Sequence, residues 1–180
     1  MSNVRRHKTM SSPYDTFKRE ISLFTELEDQ SDRGAAVVAA AWVEEELLEA
    51  IRTSLQSVPK SWDRLFGRSR PLDSLSAKID MASLLGIISE SVLLDLHTIR
   101  DIRNDFAHSI VTKTHEVLSF DSPHIKDKCR TLRTAAHESP ASPRSTYLRS
   151  CAILNSDFHI YSKLAVAPDT IHRIQAKSET

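Results

Sequence analysis

An all-α fold, a single-domain bundle of five to six helices, is what three features of this sequence predict. Glycine is scarce, at 3 in 180 residues, where an all-β chain needs turn residues every ~8–12 positions. Ala, Leu, Glu and Arg, all good helix formers, are abundant. Apolar residues recur at spacings of three and four, the signature of one helical face. The length suits one domain, on a norm of roughly 100–200 residues each, and allows a core without disulfides or metal.

The elements follow in order. Residues 1–13 are polar, end at Pro13 and read as an N-terminal tail. The bundle domain is expected over 14–166 and a polar C-terminal tail over 167–180. The first helix, Tyr14–Glu28, places Phe17, Ile21, Phe24 and Leu27 on one face. Ser31 or Asp32 caps a second helix from about Arg33 to Gln56 by accepting a backbone N–H bond. Its stretch Ala35 to Val43 is apolar all round, which predicts burial on most sides and close approach of neighbours. Val58–Leu72 is read as a loop, with Pro59, Gly67 and Pro71 as breakers. The third helix, Ser74–Gly86, turns Leu75, Ile79, Ala82 and Leu85 inward, and Gly86 stops it. Ser89 caps a fourth helix that reaches about His108. A fifth is expected over Ser122–Glu138, with Pro123 in the first turn, where its missing N–H costs little. The sixth, Arg144–Leu164, has its apolar pattern interrupted by Asp157 and His159.

Charge and composition narrow the function classes. The formal net charge is zero, so no global basic field draws the chain to nucleic acid or an anionic membrane. Cys129 and Cys151 lack metal-ligand spacing and are expected as reduced thiols of a cytoplasmic protein. The opening residues carry no apolar h-region, which predicts no secretory signal. The apolar run Ala35 to Val43 is far short of the ~18 residues a spanning helix needs. His97, His115, His124, His137, His159 and His172 are scattered without ligand spacing and read as surface histidines. Neither a metal nor a cofactor is expected. Glu44 to Glu49 reads as a solvated helix face that could also neutralise a nearby cation. The basic segment Lys60, Arg64, Arg68 and Arg70 is a weak candidate for gripping nucleic-acid phosphates.

The fourth helix carries the sharpest signal. Its apolar stripe reads Val92, Leu96, Ile99, Phe106 and Ile110, and the alternation of four and three asks for an apolar residue where Arg103 stands. A half-buried guanidinium needs a carboxylate, a phosphate or carbonyls beside it. Asp32 and Glu44 to Glu49 are the expected carboxylates, with an open cleft as the alternative. Asn104 and His108 are four apart and share a face. Arg103 and His108 lie roughly 140° apart around the helix, flanking one edge. There Arg103 can hold a phosphate and His108 can act as acid or base near neutral pH. A purely structural reading stays open beside this one: Arg103 pairs with a carboxylate, and His108 serves the helix C-terminus.

The segment Ile102-Arg103-Asn104-Asp105-Phe106-Ala107-His108-Ser109, preceded by Leu96-His97-Thr98-Ile99-Arg100, resembles the mannitol operon repressor (MltR) family. So do the segments from Ser31 to Ala41 and from Ser76 to Ile88, in the same order, and the likeness covers roughly residues 17–135. The resemblance implies a regulatory protein, a transcriptional repressor or co-regulator. Arg103, Asn104 and His108 also resemble the R-x(4–6)-H motif of HEPN domains. That likeness implies a HEPN-like α-bundle pairing as a homodimer at the Arg-His edge, in a superfamily where many members cut RNA without metal. Direct DNA binding fits less well. The best helix pair for a helix-turn-helix would present Glu90, Val92, Leu93 and Leu94, acidic and apolar where a recognition helix needs basic and amide side chains. The expected function is therefore a regulator acting through protein or RNA contacts, with a metal-independent endoribonuclease as the alternative and a direct DNA-binding repressor as the second alternative.

Overall fold

The computed structural model describes residues 25–55, 57–108, 117–135 and 142–164. The expected tails, the first part of the first helix and Ile110 lie outside them. The described residues are helical in the main and contain no β-strand, so the all-α expectation holds. After a helical turn at 25–28 come α1 (Asp32–Ser54), α2 (Pro59–Phe66), α3 (Leu75–Leu84), α4 (Glu90–His108), α5 (Pro123–Thr131) and α6 (Pro143–Leu164). None is long and apolar enough to cross a membrane among the described residues.

The helix boundaries have local causes. Ser31 caps α1, its Oγ accepting from the Gly34 N–H at 3.2 Å, and Ser74 caps α3 through Ala77 N–H. Gly86 ends α3 in the left-handed region, at φ 69°, and Ile87 N–H returns to the Ala82 carbonyl. That 6→1 bond is the closure a glycine after a helix permits.

Two expectations need correction. The segment expected as a loop from Val58 to Leu72 contains α2. Pro59 opens that helix at a position where no N–H is needed. Trp62 and Phe66, one turn apart, stack at 4.0 Å. The breakers therefore bracket a helix and do not abolish it. The fifth helix, expected to run to Glu138, stops at Thr131. Asp95 of α4, only 2 % exposed, draws the chain away. Its carboxylate accepts from the backbone N–H groups of Arg133 and Thr134 and from the Thr134 hydroxyl. A carboxylate with three good donors outweighs one more helical turn.

The helices pack on one core, with α1 at its centre. Ala35, Ala36, Ala39, Ala40, Val43, Leu47, Ala50 and Ile51 of α1 are buried. Parallel to it lies α6, in a constant register: Arg144 meets Asp32, Tyr147 meets Ala36, Asn155 meets Trp42 and His159 meets Glu46. The opposite direction is taken by α4, since Arg33 at the start of α1 donates to the carbonyl of Ala107 near the end of α4. On α4, α3 runs antiparallel through Arg100 to Ser76 and His97 beside Asp80. Likewise α5 is antiparallel to α4, through Lys128 to Asp105 and Asp95 to Arg133.

Asp95→Ala would leave two backbone N–H groups and a hydroxyl without their acceptor. A fully buried group left unsatisfied costs ~1–3 kcal/mol; these three donors are only part-buried, so water can reach them and we expect a loss of about 2–4 kcal/mol in all. Urea unfolding followed by circular dichroism measures it, and a midpoint unchanged from wild type would refute the capping role of Asp95.

Candidate functional site

The buried stripe of α4 is Asp95, Leu96, Ile99, Ile102 and Phe106. It passes through Ile102, one position before Arg103. The 99–102–106 spacing closes the stripe without residue 103, so the expected conflict of a cation at a core position does not arise. Arg103 sits half-buried on the rim of the stripe. Its guanidinium donates to Asn104 Oδ1 at 2.9 Å.

Four of the carboxylates expected to neutralise Arg103 are engaged with other basic side chains. Asp32 pairs with Arg144, Glu44 with Lys78, Glu46 with His159 and Glu49 with Arg52. Among the described residues no ion pair links Arg103 to any of them. The Glu44–Glu49 stretch is also less solvated than expected, because Glu46 is only 6 % exposed.

His108 is exposed at the last residue of α4, where a protonated imidazole interacts well with the helix dipole. Asn104 is half-buried one turn earlier on the same side. The structure thus places Arg103, Asn104 and His108 along one edge of the end of α4. Lys60, Arg64, Arg68 and Arg70 are all exposed, on α2 and the turn after it. They follow the C-terminal end of α1, while the end of α4 meets its N-terminal end. The 23 residues of α1 span about 35 Å at 1.5 Å per residue. The two predicted sets therefore form two surfaces, not one site.

The end of α4 is held by three elements. Arg33 of α1 donates to Ala107 O at 3.0 Å, satisfying a carbonyl that the helix end leaves open. Phe106 meets Phe120 at 4.9 Å, and Phe120 meets Tyr147 of α6 at 5.3 Å. Asp32 fixes Phe120 by accepting its N–H at 2.9 Å. Arg144, paired with Asp32, also donates to the carbonyls of Leu27 and Gln30. On the far side, Asp105 accepts from Lys128 at 2.6 Å, with His124 at 3.8 Å. Arg33, Arg144 and Lys128 were not singled out in the sequence. Arg33 and Arg144 are each the second residue of their helix, and no local pattern marks them as partners of distant chain ends.

Beneath this junction lie a phenol and two thiols. Tyr147 is fully buried, and its hydroxyl donates to Ala36 O at 2.8 Å. Burial raises its pKa well above 10.0, the Cys151 thiol adds to the rise and Arg103 opposes it. Burial likewise raises the Cys129 thiol from 9.0 to about 12 and the Cys151 thiol further still. Among the described residues no group of three or more His, Cys, Asp or Glu is placed to hold a metal ion. The arrangement at the end of α4 can hold an anion by charge and hydrogen bond, and can offer one exposed imidazole for proton transfer.

Three outcomes follow. Both thiols should stay unmodified by a disulfide reagent at pH 8 in the native protein and react only in denaturant, since the thiolate is the reactive form. In addition, between pH 9 and 12 the unfolded chain releases the Cys129 proton that the folded chain keeps. Stability present below pH 9 should then fall as pH rises through this window, and fall less steeply in Cys129→Ala. Arg103→Leu should cost no more than about 1 kcal/mol in a thermal melt, the worth of one ordinary hydrogen bond. A cost of ~3–5 kcal/mol would instead reveal a buried pair.

No family model, no curated protein and no solved structure matches this chain.

Proposed function

We propose that the chain is a regulatory interaction module of the MltR kind, acting through protein or RNA contacts made by the exposed edge of α4. The observation that carries this reading is the state of Arg103. Its guanidinium is half-buried at the rim, held by Asn104, beside an exposed His108, while Asp32, Glu44, Glu46 and Glu49 serve other basic side chains. A preorganised guanidinium and an imidazole on one accessible edge suit the recognition of phosphate or carboxylate groups. The segment resemblances to the MltR and HEPN families support the same reading, as does the zero net charge, which favours a local contact over a broad electrostatic one. A homodimer pairing two α4 edges belongs to this proposal, and symmetric dimers are the commonest soluble oligomers. So does a location in the cytoplasm.

The alternative is a metal-independent endoribonuclease. Arg103 would hold the scissile phosphate, Asn104 would orient it through its bond to Arg103, and His108 would transfer the 2′-hydroxyl or leaving-group proton. Asn104 Oδ1 accepting from Arg103 at 2.9 Å favours this reading to the extent that such a bond fixes the guanidinium plane.

The test uses a fluorescent single-stranded RNA with chelator present. We expect the wild type to leave it uncut, and light scattering at tens of micromolar to give a dimer that His108→Glu weakens. Chelator-resistant cleavage lost in His108→Ala, with the melt unchanged, would replace the regulatory reading by the nuclease, where His supplies a factor of about 10²–10⁴. A shifted operator duplex whose affinity falls steeply with salt and in Arg64→Ala would point to the DNA-binding alternative.

A further inference from the structure

Beyond the C-terminal end of α1, Lys60, Arg64, Arg68 and Arg70 stand exposed on α2 and the turn after it. Among the described residues no ion pair engages any of the four. The carboxylates of this segment are Asp63 and Asp73. Asp73 is occupied, its Oδ2 accepting from the Ser69 N–H at 2.8 Å. In a chain of zero formal net charge, the segment is a local positive excess.

The scaffold holds these cations in place. Lys60 and Arg64 are four apart and share a face of α2. Trp62 and Phe66 take the other side, since two residues on is roughly 200° around a helix. The two rings stack at 4.0 Å and pack on the core, with the Arg52 guanidinium 4.4 Å over Trp62. Anchoring the aromatics inward turns Lys60 and Arg64 outward. After Gly67 the chain closes a turn, with Leu72 N–H returning to Leu65 O at 2.8 Å and Arg70 N–H to Gly67 O at 3.1 Å. Ser69, between two arginines, has φ 59°, a conformation uncommon outside glycine. Its bond to Asp73 holds it there, and such strain is frequent at functional sites. The stem of Arg70 lies across Gly67, its Cγ 3.4 Å from where a Cβ at that residue would stand. The turn thus lies against the end of α2, and the helix and the turn present one basic surface.

The chemistry of this surface selects its partner. Three of the four cations are arginines, whose planar fork matches phosphate oxygens. A membrane surface would need a broad apolar face beside the charges, and here the large rings are turned inward, leaving Val58 and Leu65 exposed. Base stacking needs an open aromatic ring, and Trp62 is enclosed between Phe66 and Arg52. We infer that this surface binds the phosphate backbone of a nucleic acid, by charge and without reading its sequence. The inference concerns the opposite end of α1 from the α4 edge and does not depend on the role proposed there.

The experiment titrates the full chain into a fluorescent single-stranded RNA of about 20 nucleotides and follows anisotropy at two salt concentrations. Contact through four cations should give a logarithmic salt slope of about −3, a loss of roughly 50-fold in affinity between about 50 and about 200 mM salt. A scrambled sequence should bind equally well. Arg64→Gln combined with Arg68→Gln should weaken binding at least about tenfold at low salt and about halve the slope. Both side chains are exposed, and an unchanged melt confirms the fold. Arg130→Gln, which removes the same charge from an exposed site on α5, should bind as wild type does. The inference is overturned if no binding occurs at low salt, or if the double variant keeps wild-type affinity. It is also overturned if one sequence binds about tenfold tighter than its scramble, which would mean base readout. Loss of the strand in Arg103→Gln with retention in the double variant would place the contact at the α4 edge and overturn it too. So would binding to phosphatidylserine–phosphatidylcholine vesicles in place of RNA, abolished in the double variant.

Discussion

The parallel packing of α6 against α1 imposes most of the remaining architecture. Two parallel helices cannot be joined by a short turn, so the chain between Ser54 and Pro143 must travel back along the bundle. Antiparallel to α1, α4 makes that return, with α3 and α5 laid antiparallel against it. Parallel helices also set like dipoles side by side, and an antiparallel α4 in contact with α1 offsets part of that repulsion. The close approach depends on alanine. With Ala36, Ala39 and Ala40 buried on α1, Tyr147 can reach the Ala36 carbonyl and Asn155 the Trp42 carbonyl.

Polar rungs fix the register of this pair at both ends and between. Arg144 with Asp32, Tyr147 with Ala36, Asn155 with Trp42 and His159 with Glu46 keep sequence separations of 112, 111, 113 and 113 residues. A hydrophobic seam alone tolerates sliding, whereas a buried donor or acceptor displaced from its partner costs the whole desolvation penalty. The same rungs shape both ends of the helix pair. At the N-terminal end, Asp32 and Arg144 anchor Phe120 and the carbonyls of residues 27 to 30, which seats the end of α4. At the C-terminal end, the Glu46–His159 rung ties α1 to α6.

Legibility in the sequence followed the range of the interactions. Helix starts at Ser31, Ser74 and Ser89 and the stop at Gly86 were readable because a cap is a contact within three or four residues. The buried face of α1 was readable from its unbroken apolar run. The short α2 was missed because two prolines and a glycine mask a helix of eight residues, and its stability comes from Trp62 packing on Phe66 and under Arg52. The overlong fifth helix was missed because the group that ends it, Asp95, lies 38 residues away in sequence. Arg103 was placed in the core stripe because a four-three alternation cannot distinguish position 102 from 103 when both sit at its edge.

By itself the sequence determined the fold class, most of the caps and the presence of Arg103, Asn104 and His108 on one stretch of helix. These depend on composition, 3.6-residue periodicity and neighbours along the chain, all of which are local quantities. The tertiary structure alone decided which carboxylate serves which cation. It moved Arg103 from core to rim, gave Asp32 to Arg144 and Glu46 to His159, and turned a scattered histidine into a rung between α1 and α6. Those assignments depend on the register between helices more than a hundred residues apart, and no local pattern carries that register.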